Sequence, residues 1–347
     1  MSNLTSKLKL GNLIGQGHFG KVFEGDDPVH GKVAVKRIVR KSDDTDEKWE
    51  HRKSGAQKEA QHLKKASHRN VVRVHHYCED TTEDAILYVM DFCEGGSLQK
   101  LYDEGPMDVA RLRAVATDVS SGLAALHANE MLHRDIKPGN LLVDARGVTM
   151  LGDFGLVTDD LVLGYGSVGD YAYADHIAPE VWSGGPTSVK TDLWAIGMTL
   201  YRLLHGKAWH EQTAKPAEVV AKGKYADGLT WLPHVPADWR RTLRKLLRDD
   251  PHDRHENALA LQKAISGLST QPAWDCSVSA EEIRWERIKR DRRIIVVWKK
   301  ANPKKTSWRA WSEPLGAGKP RTLGESTAPV SLKIAGRALK EFFESQS

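Results

Sequence analysis

His133-Arg134-Asp135-Ile136-Lys137-Pro138-Gly139-Asn140-Leu141-Leu142-Val143, followed by Gly152-Asp153-Phe154-Gly155, is the stretch that decides how this chain is read. Moving a phosphoryl group onto a hydroxyl needs a carboxylate that orients the nucleophile and accepts its proton late, a role that suits Asp135. Lys137, two positions on, can neutralise charge on the group in flight. Asn140 can offer an amide oxygen to Mg2+. Asp153, 13 residues after Asn140, can add a carboxylate to the same ion, and Gly155 lets the chain turn sharply afterwards. An isolated Asp-Phe-Gly is an ordinary loop. In this order and spacing the two segments make one constellation.

Working outward toward the N-terminus, Gly15-Gln16-Gly17-His18-Phe19-Gly20 precedes Val22 between two strand-like runs. Glycines let a backbone approach phosphates and aim its N–H groups at their oxygens. A dinucleotide-binding turn reads similarly, but it requires a helix after the glycines, and Lys21-Val22-Phe23-Glu24-Gly25 has strand character. A flap over a nucleotide is therefore favoured. Lys36 closes the apolar run Val33-Ala34-Val35, 16 residues after Gly20, well placed to reach nucleotide phosphates. Such a lysine needs a carboxylate to hold it, and Glu59, on a helical segment, is the candidate.

Two regimes divide the chain. Residues 8–95 alternate in short β-rich runs, broken by a helix around Lys53 to Lys65, and favour an antiparallel sheet. Lys41 to Arg52 is dense in charge and reads as a solvated loop leading into that helix. From residue 97 to 268 the spacing turns helical, as in Val109 to His127 and Thr191 to Leu204. The 347 residues are 40% hydrophobic and 28% charged, ordinary for a soluble globular protein. No run approaches the roughly 20 apolar residues of a membrane span, so no membrane partner is expected. No signal peptide is recognised and the three cysteines are scattered, so a cytoplasmic setting is expected.

These motifs resemble the eukaryotic-type protein kinase family over residues 8–268, with Ala178-Pro179-Glu180 completing the order. The resemblance implies an α+β, bilobal fold: a small antiparallel sheet lobe at about 8–94 and a larger helical lobe at about 95–268. It implies ATP and Mg2+ as cofactors and serine/threonine hydroxyls of protein substrates, as Lys137 suggests. It assigns Ile14, Gly15, Gly17, Gly20, Val22, Ala34, Lys36 and Leu142 to the nucleotide pocket, and Met90, Asp91 and Cys93 to the gatekeeper and hinge. Asp135, Lys137, Lys36 and Glu59 become catalytic, and Asn140 and Asp153 metal ligands. Asp192 to Gly197 resembles the helix that anchors the catalytic loop, and Arg254 the partner of Glu180. Leu63, Val74, His133 and Phe154 match a hydrophobic column. Two positions depart from the pattern: where the family shows Thr and then Tyr before Ala-Pro-Glu, this chain has Tyr173 and His176. Substrate docking is therefore expected to be unusual. Thr158, Ser167, Tyr171 and Tyr173 are the hydroxyls available for autophosphorylation. A small-molecule kinase of the same fold and a pseudokinase scaffold are the alternatives; the complete catalytic set argues against the second.

Residues 269–279 read as a linker to a basic α+β extension at 280–347, where 16 Lys/Arg face 8 Asp/Glu. Glu281 to Arg293 reads as a helix, Ile294 to Trp298 and Ser307 to Trp311 as paired strands about a turn at Asn302-Pro303, and Ser331 to Phe343 as a helix. Arg292, Arg293, Lys299, Lys300, Lys304, Lys305 and Arg309 surround Trp298, Trp308 and Trp311. That pattern fits nucleic acid, a docking partner, or a small aromatic core with a solvated hairpin. No RNA-binding signature accompanies it.

Overall fold

A computed structural model describes residues 8–17, 20–65, 67–80, 83–152, 175–213, 219–220, 222–302 and 304–346. The chain divides into two compact units, residues 1–97 with 118–170 and residues 98–117 with 171–347.

The first unit is built on an antiparallel sheet in the order β1-β2-β3-β5-β4, from β1 Lys9–Gly17, β2 Gly20–Asp27, β3 Gly31–Val39, β4 Val74–Asp80 and β5 Ala85–Asp91. Alternation along β3 explains its two faces. Val33, Val35 and Val89 are fully buried and Leu87 nearly so, and Leu8 and Cys78 pack beside them. Ala34 and Lys36 take the opposite face. The helix α1 begins earlier than its charge density suggests, spanning Asp46–Lys65. The loop expected over 41–52 holds over 41–45 and gives way to helix from Asp46, where the charges recur at helical spacing. Thr45 Oγ1 accepts from Lys48 N at the helix start. The buried Asp44 carboxylate takes Lys48 and Arg52, four and eight residues on, at 3.1 and 2.8 Å. Beyond the sheet, β6 Gly96–Ser97, β7 Leu141–Val143 and β8 Thr149–Leu151 form a three-stranded ribbon.

Helices dominate the first part of the second unit: α2 Gln99–Glu104, the start of α3 Val109–Ala128, α4 Val189–His205, α5 Ala237–Leu246 and α6 Ala258–Ser266. A capping box opens α4, Ser188 and Thr191 exchanging side-chain and backbone bonds. Leu193, Trp194, Ile196 and Leu203 in α4 are fully buried, as are Trp239 and Leu243 in α5. Among the described residues no helix is long and apolar enough to cross a membrane.

The C-terminal part of the same unit is a six-stranded sheet in the order β13-β12-β11-β10-β9, with β14 beside β12. Its strands are β9 Asp275–Val278, β10 Glu282–Lys289, β11 Arg292–Asn302, β12 Lys305–Pro314, β13 Arg321–Glu325 and β14 Val330–Ser331, followed by α7 Leu332–Ser345. The expected hairpin is present, with Trp298 opposite Trp308 and Ile295 opposite Trp311. Asn302 Oδ1 accepts from Lys304 N and Lys305 N in its turn, while Pro303 lies outside the described residues. The helix expected over 281–293 is replaced by β10 and the start of β11. The decisive signal there is a period of two: Trp285 points inward, fully buried, between Cys276 and Val296 of the flanking strands. The stretch expected as a linker includes β9, which pairs with β10, and the nearly fully buried Trp274. Ala335, Leu339 and Phe343 form the buried stripe of α7.

Candidate active site

Antiparallel register lines up the expected nucleotide-binding residues. Val22 pairs with Gly15 on one side and Lys36 on the other, and Ala34 pairs with Met90. Directly opposed residues share a sheet face, so Val22, Ala34, Lys36 and Met90 stand together, away from the Val33–Val35 core. Lys36 is buried. Ile14 is exposed on β1, and Gly17 pairs with Gly20; His18 and Phe19 lie outside the described residues. The protein itself demands glycine at Gly20: its φ is +137°, and an added Cβ would stand 2.5 Å from the Arg37 carbonyl oxygen. At Gly15 an added Cβ would meet Val22 at an ordinary 3.7 Å, so packing within the chain does not demand glycine there.

Beyond Met90 the strand ends at Asp91, whose Oδ1 lies 3.0 Å from His75 Nε2 and whose Oδ2 accepts from Arg73 N. Burial pushes the half-buried Cys93 thiol up to about 12, which keeps it protonated and a poor nucleophile. Leu142, on β7, sits under Gly152, where an added Cβ would lie 2.8 Å from its Cδ1.

The loop from His133 to Asn140 gathers the groups expected to react. Asp135, Asn140 and His133 are buried. Lys137 Nζ donates to Asp135 Oδ2 at 2.8 Å. Asn140 Nδ2 donates to the Asp135 carbonyl at 2.7 Å and to Asp135 Oδ2 at 2.8 Å. Both partners are acceptors, so the amide nitrogen must face Asp135 and the amide oxygen is left for another ligand. Arg134 holds a left-handed backbone, φ +66°, a strained conformation of the kind stored at functional loops. The loop is tied to the strands behind it. Gly152 N donates to the Asn140 carbonyl at 2.9 Å, Leu151 N to the Asn70 carbonyl, and the Asn70 side chain to the Thr149 carbonyl. The first of these bonds holds the residue before Asp153 against Asn140. Asp153, Phe154 and Gly155 themselves lie outside the described residues, as do Thr158, Ser167, Tyr171, Tyr173 and the side chain of Glu59. Leu63, Val74 and His133, three of the four column residues, are each buried.

The second unit carries the remaining expected pair. Arg254, its side chain fully buried, meets Glu180 through two hydrogen bonds of 2.7 Å and also donates to the carbonyls of Arg248, Lys190 and Asp249. His176 is buried and accepts at Nε2 from Arg202 Nη1 at 2.7 Å, which leaves Nδ1–H to face Thr199 Oγ1 at 3.5 Å. Arg202 was not legible as its partner, being 26 residues away with no local motif. The His75–Asp91 contact was missed for the same reason.

Residues 8–264 match the family described as Protein kinase domain, and the chain belongs to that family. Among curated relatives, it is 30% identical over 265 residues to "Mitogen-activated protein kinase kinase kinase YODA" of Arabidopsis thaliana, covering 75% of this chain and 29% of that protein. It is 29% identical over 255 residues to Aurora kinase C of Mus musculus, covering 73% of this chain and 89% of that protein. It is also 27% identical over 269 residues to "Serine/threonine-protein kinase PrkC" of Bacillus subtilis (strain 168), covering 76% and 40% respectively. The chain thus spans well under half of two of these three relatives.

Proposed function

We propose that this chain transfers the γ-phosphate of ATP to serine or threonine hydroxyls of protein substrates. The observation that carries the reading is the Asp135 carboxylate held between Lys137 and Asn140 at 2.8 Å each. Lys137 Nζ, already beside Asp135 Oδ2, stands where it also compensates charge developing on the transferred group. Asp135 orients the incoming hydroxyl and takes its proton as the new P–O bond forms. Lys36 and the flap at Gly15 to Gly20 hold the phosphates. The donor set fits magnesium: the free amide oxygen of Asn140 and the Asp153 carboxylate are hard oxygen ligands. When bound, Mg2+ supplies positive charge against the phosphate oxygens.

The names of the relatives PrkC, a serine/threonine-protein kinase, and YODA, a protein kinase kinase kinase, support a protein acceptor. The Ala178-Pro179-Glu180 segment with its Arg254 anchor supports a protein over a small-molecule substrate, since small-molecule kinases of the same general fold usually lack it. Autophosphorylation on Thr158, Ser167, Tyr171 or Tyr173, a cytoplasmic location, and a protein-docking role for residues 280–347 belong to the same proposal. Pairing of Lys299 with Glu282, Arg293 with Glu286 and Arg309 with Glu325 favours protein docking over nucleic acid, because these cations are already partly neutralised.

Radiolabelled ATP with Mg2+ and a generic protein acceptor tests the catalytic reading. Asp135→Ala is expected to lower the rate by roughly 100- to 10,000-fold while leaving nucleotide binding intact. Equal incorporation by both proteins would end it.

A further inference from the structure

On the first unit's sheet, three residues outside the kinase constellation converge: Asp27 at the end of β2, His30 in the turn to β3, and His76 on β4. His30 Nδ1 lies 3.0 Å from Asp27 Oδ1, and His76 Nε2 lies 3.6 Å from Asp27 Oδ2. One donor atom from each falls within 4.8 Å of the other two. We propose that Asp27, His30 and His76 form a binding site for a divalent transition ion, with zinc the best match.

The donor set carries the argument. Two imidazoles and one carboxylate suit zinc and its neighbours, whereas magnesium prefers oxygens alone. An ion about 2.0–2.1 Å from each donor in a tetrahedral site needs donors roughly 3.3–3.4 Å apart. His76 Nε2 stands 3.6 Å from Asp27 Oδ2, near that value, while His30 Nδ1 lies 3.0 Å from the other carboxylate oxygen; with one donor from each within 4.8 Å of the others, the site closes by rotating two imidazoles that are about one-third exposed, at 33% and 35%. That partial exposure also provides an entry path and a fourth position for water.

The carboxylate is prepared for a cation. Asp27 is 5% exposed, and among the described residues no lysine or arginine pairs with it. Its Oδ1 already accepts from Val29 N and His30 N at 2.9 Å each, which fixes the group and directs Oδ2 toward His76. Burial pushes the carboxyl up, but the hydrogen bonds from His30 and Val29 outweigh it, so it stays below the usual range and ionised.

The imidazoles are likewise positioned. The register of β4 against β5 slips between Val74 and His76. Such an irregularity re-aims side chains, and here both His75 and His76 reach the His30 ring, at 4.0 and 6.2 Å between centroids. His75 stacks on His30 and is itself held by Asp91 at 3.0 Å. The ligand His30 is thus braced by a pair that is not part of the site.

Calorimetric titration of the chelator-stripped full chain with zinc, with excess Mg2+ present, tests the proposal. The expected result is one tight equivalent, weakened by more than about 100-fold in both His30→Gln and His76→Gln, beyond the loss typical of an outer-shell change. Because either variant could perturb the turn, the wild-type chain is also followed by imidazole nitrogen NMR. One equivalent of zinc should shift His30 Nδ1 and His76 Nε2. Unchanged affinity in the variants, or unmoved resonances for these two nitrogens, would overturn the site.

Discussion

A single atom shows how closely the flap of this kinase domain is built. A methyl group at Gly20 would collide with the Arg37 carbonyl at 2.5 Å and would force an L side chain to φ +137°. Gly20→Ala is therefore expected to cost roughly 1–3 kcal/mol of stability, read by chemical denaturation, and to raise KM for ATP as the turn moves. Gly15→Ala should leave stability nearly unchanged and raise KM alone, because its methyl meets only ordinary contacts. Equal stability of Gly20→Ala and wild type would refute the packing argument. At this scale the sequence was informative. That Asp135, Lys137 and Asn140 stand together was legible because they are close in sequence, and one loop brings all three together. Arg202 beside His176 was not, because nothing in either residue's neighbourhood encodes a contact across 26 positions.

At the scale of elements, the Glu180–Arg254 pair links the short helical turn Pro179–Trp182 to the loop before α6. Arg254 has no exposed side-chain surface, so removing its partner leaves a buried charge facing carbonyl oxygens and the Trp194 ring in place of a carboxylate. Glu180→Ala should destabilise by about 3–5 kcal/mol, seen as a lower denaturation midpoint without loss of the first unit's sheet signal. A change under 1 kcal/mol would mean that the carbonyls suffice. Elements also show where a sequence pattern misleads. Glu281 to Arg293 carries alternating charge that suits an exposed helix face or a strand equally well. The buried Trp285 between two neighbouring strands resolves the choice, because a period of two aligns it with Val296 and Cys276. Charge density at 41–52 misled in the opposite sense: Lys48 and Arg52, four and eight residues after Asp44 and paired with it, already belong to α1.

Across the whole molecule, the C-terminal sheet and α7 pack on the loop that precedes α5. Trp285 Nε1 donates to His234 Nδ1 at 2.8 Å, and Phe343 of α7 packs edge-on against both Trp274 and Trp285. Burial pushes His234 down to about 3, and the fully buried His205 likewise to about 3. Both stay neutral in the folded protein, whereas an unfolded histidine takes a proton near pH 6.5. Between those values the unfolded chain binds more protons, so stability falls as pH drops from about 6.5 toward 3, by up to about 1.4 kcal/mol per pH unit for each histidine. Urea denaturation from pH 7 to pH 5 should show the slope, and His234→Asn, which keeps an acceptor for Trp285, should lessen it. An identical slope in the variant would remove His234 from the account.

The sequence by itself determined the class of this protein, because the groups of phosphoryl chemistry lie within two short segments whose spacing is set by the covalent chain. It also determined the sheet-then-helix order and the basic balance of the last 68 residues. Only the tertiary structure decided the rest: that residues 275–302 are built of strands, that the extension packs on the loop holding His234, and that His30 and His76 meet at Asp27. Those facts depend on surfaces far apart in sequence that exclude water together, and no local pattern of residues records which surfaces meet.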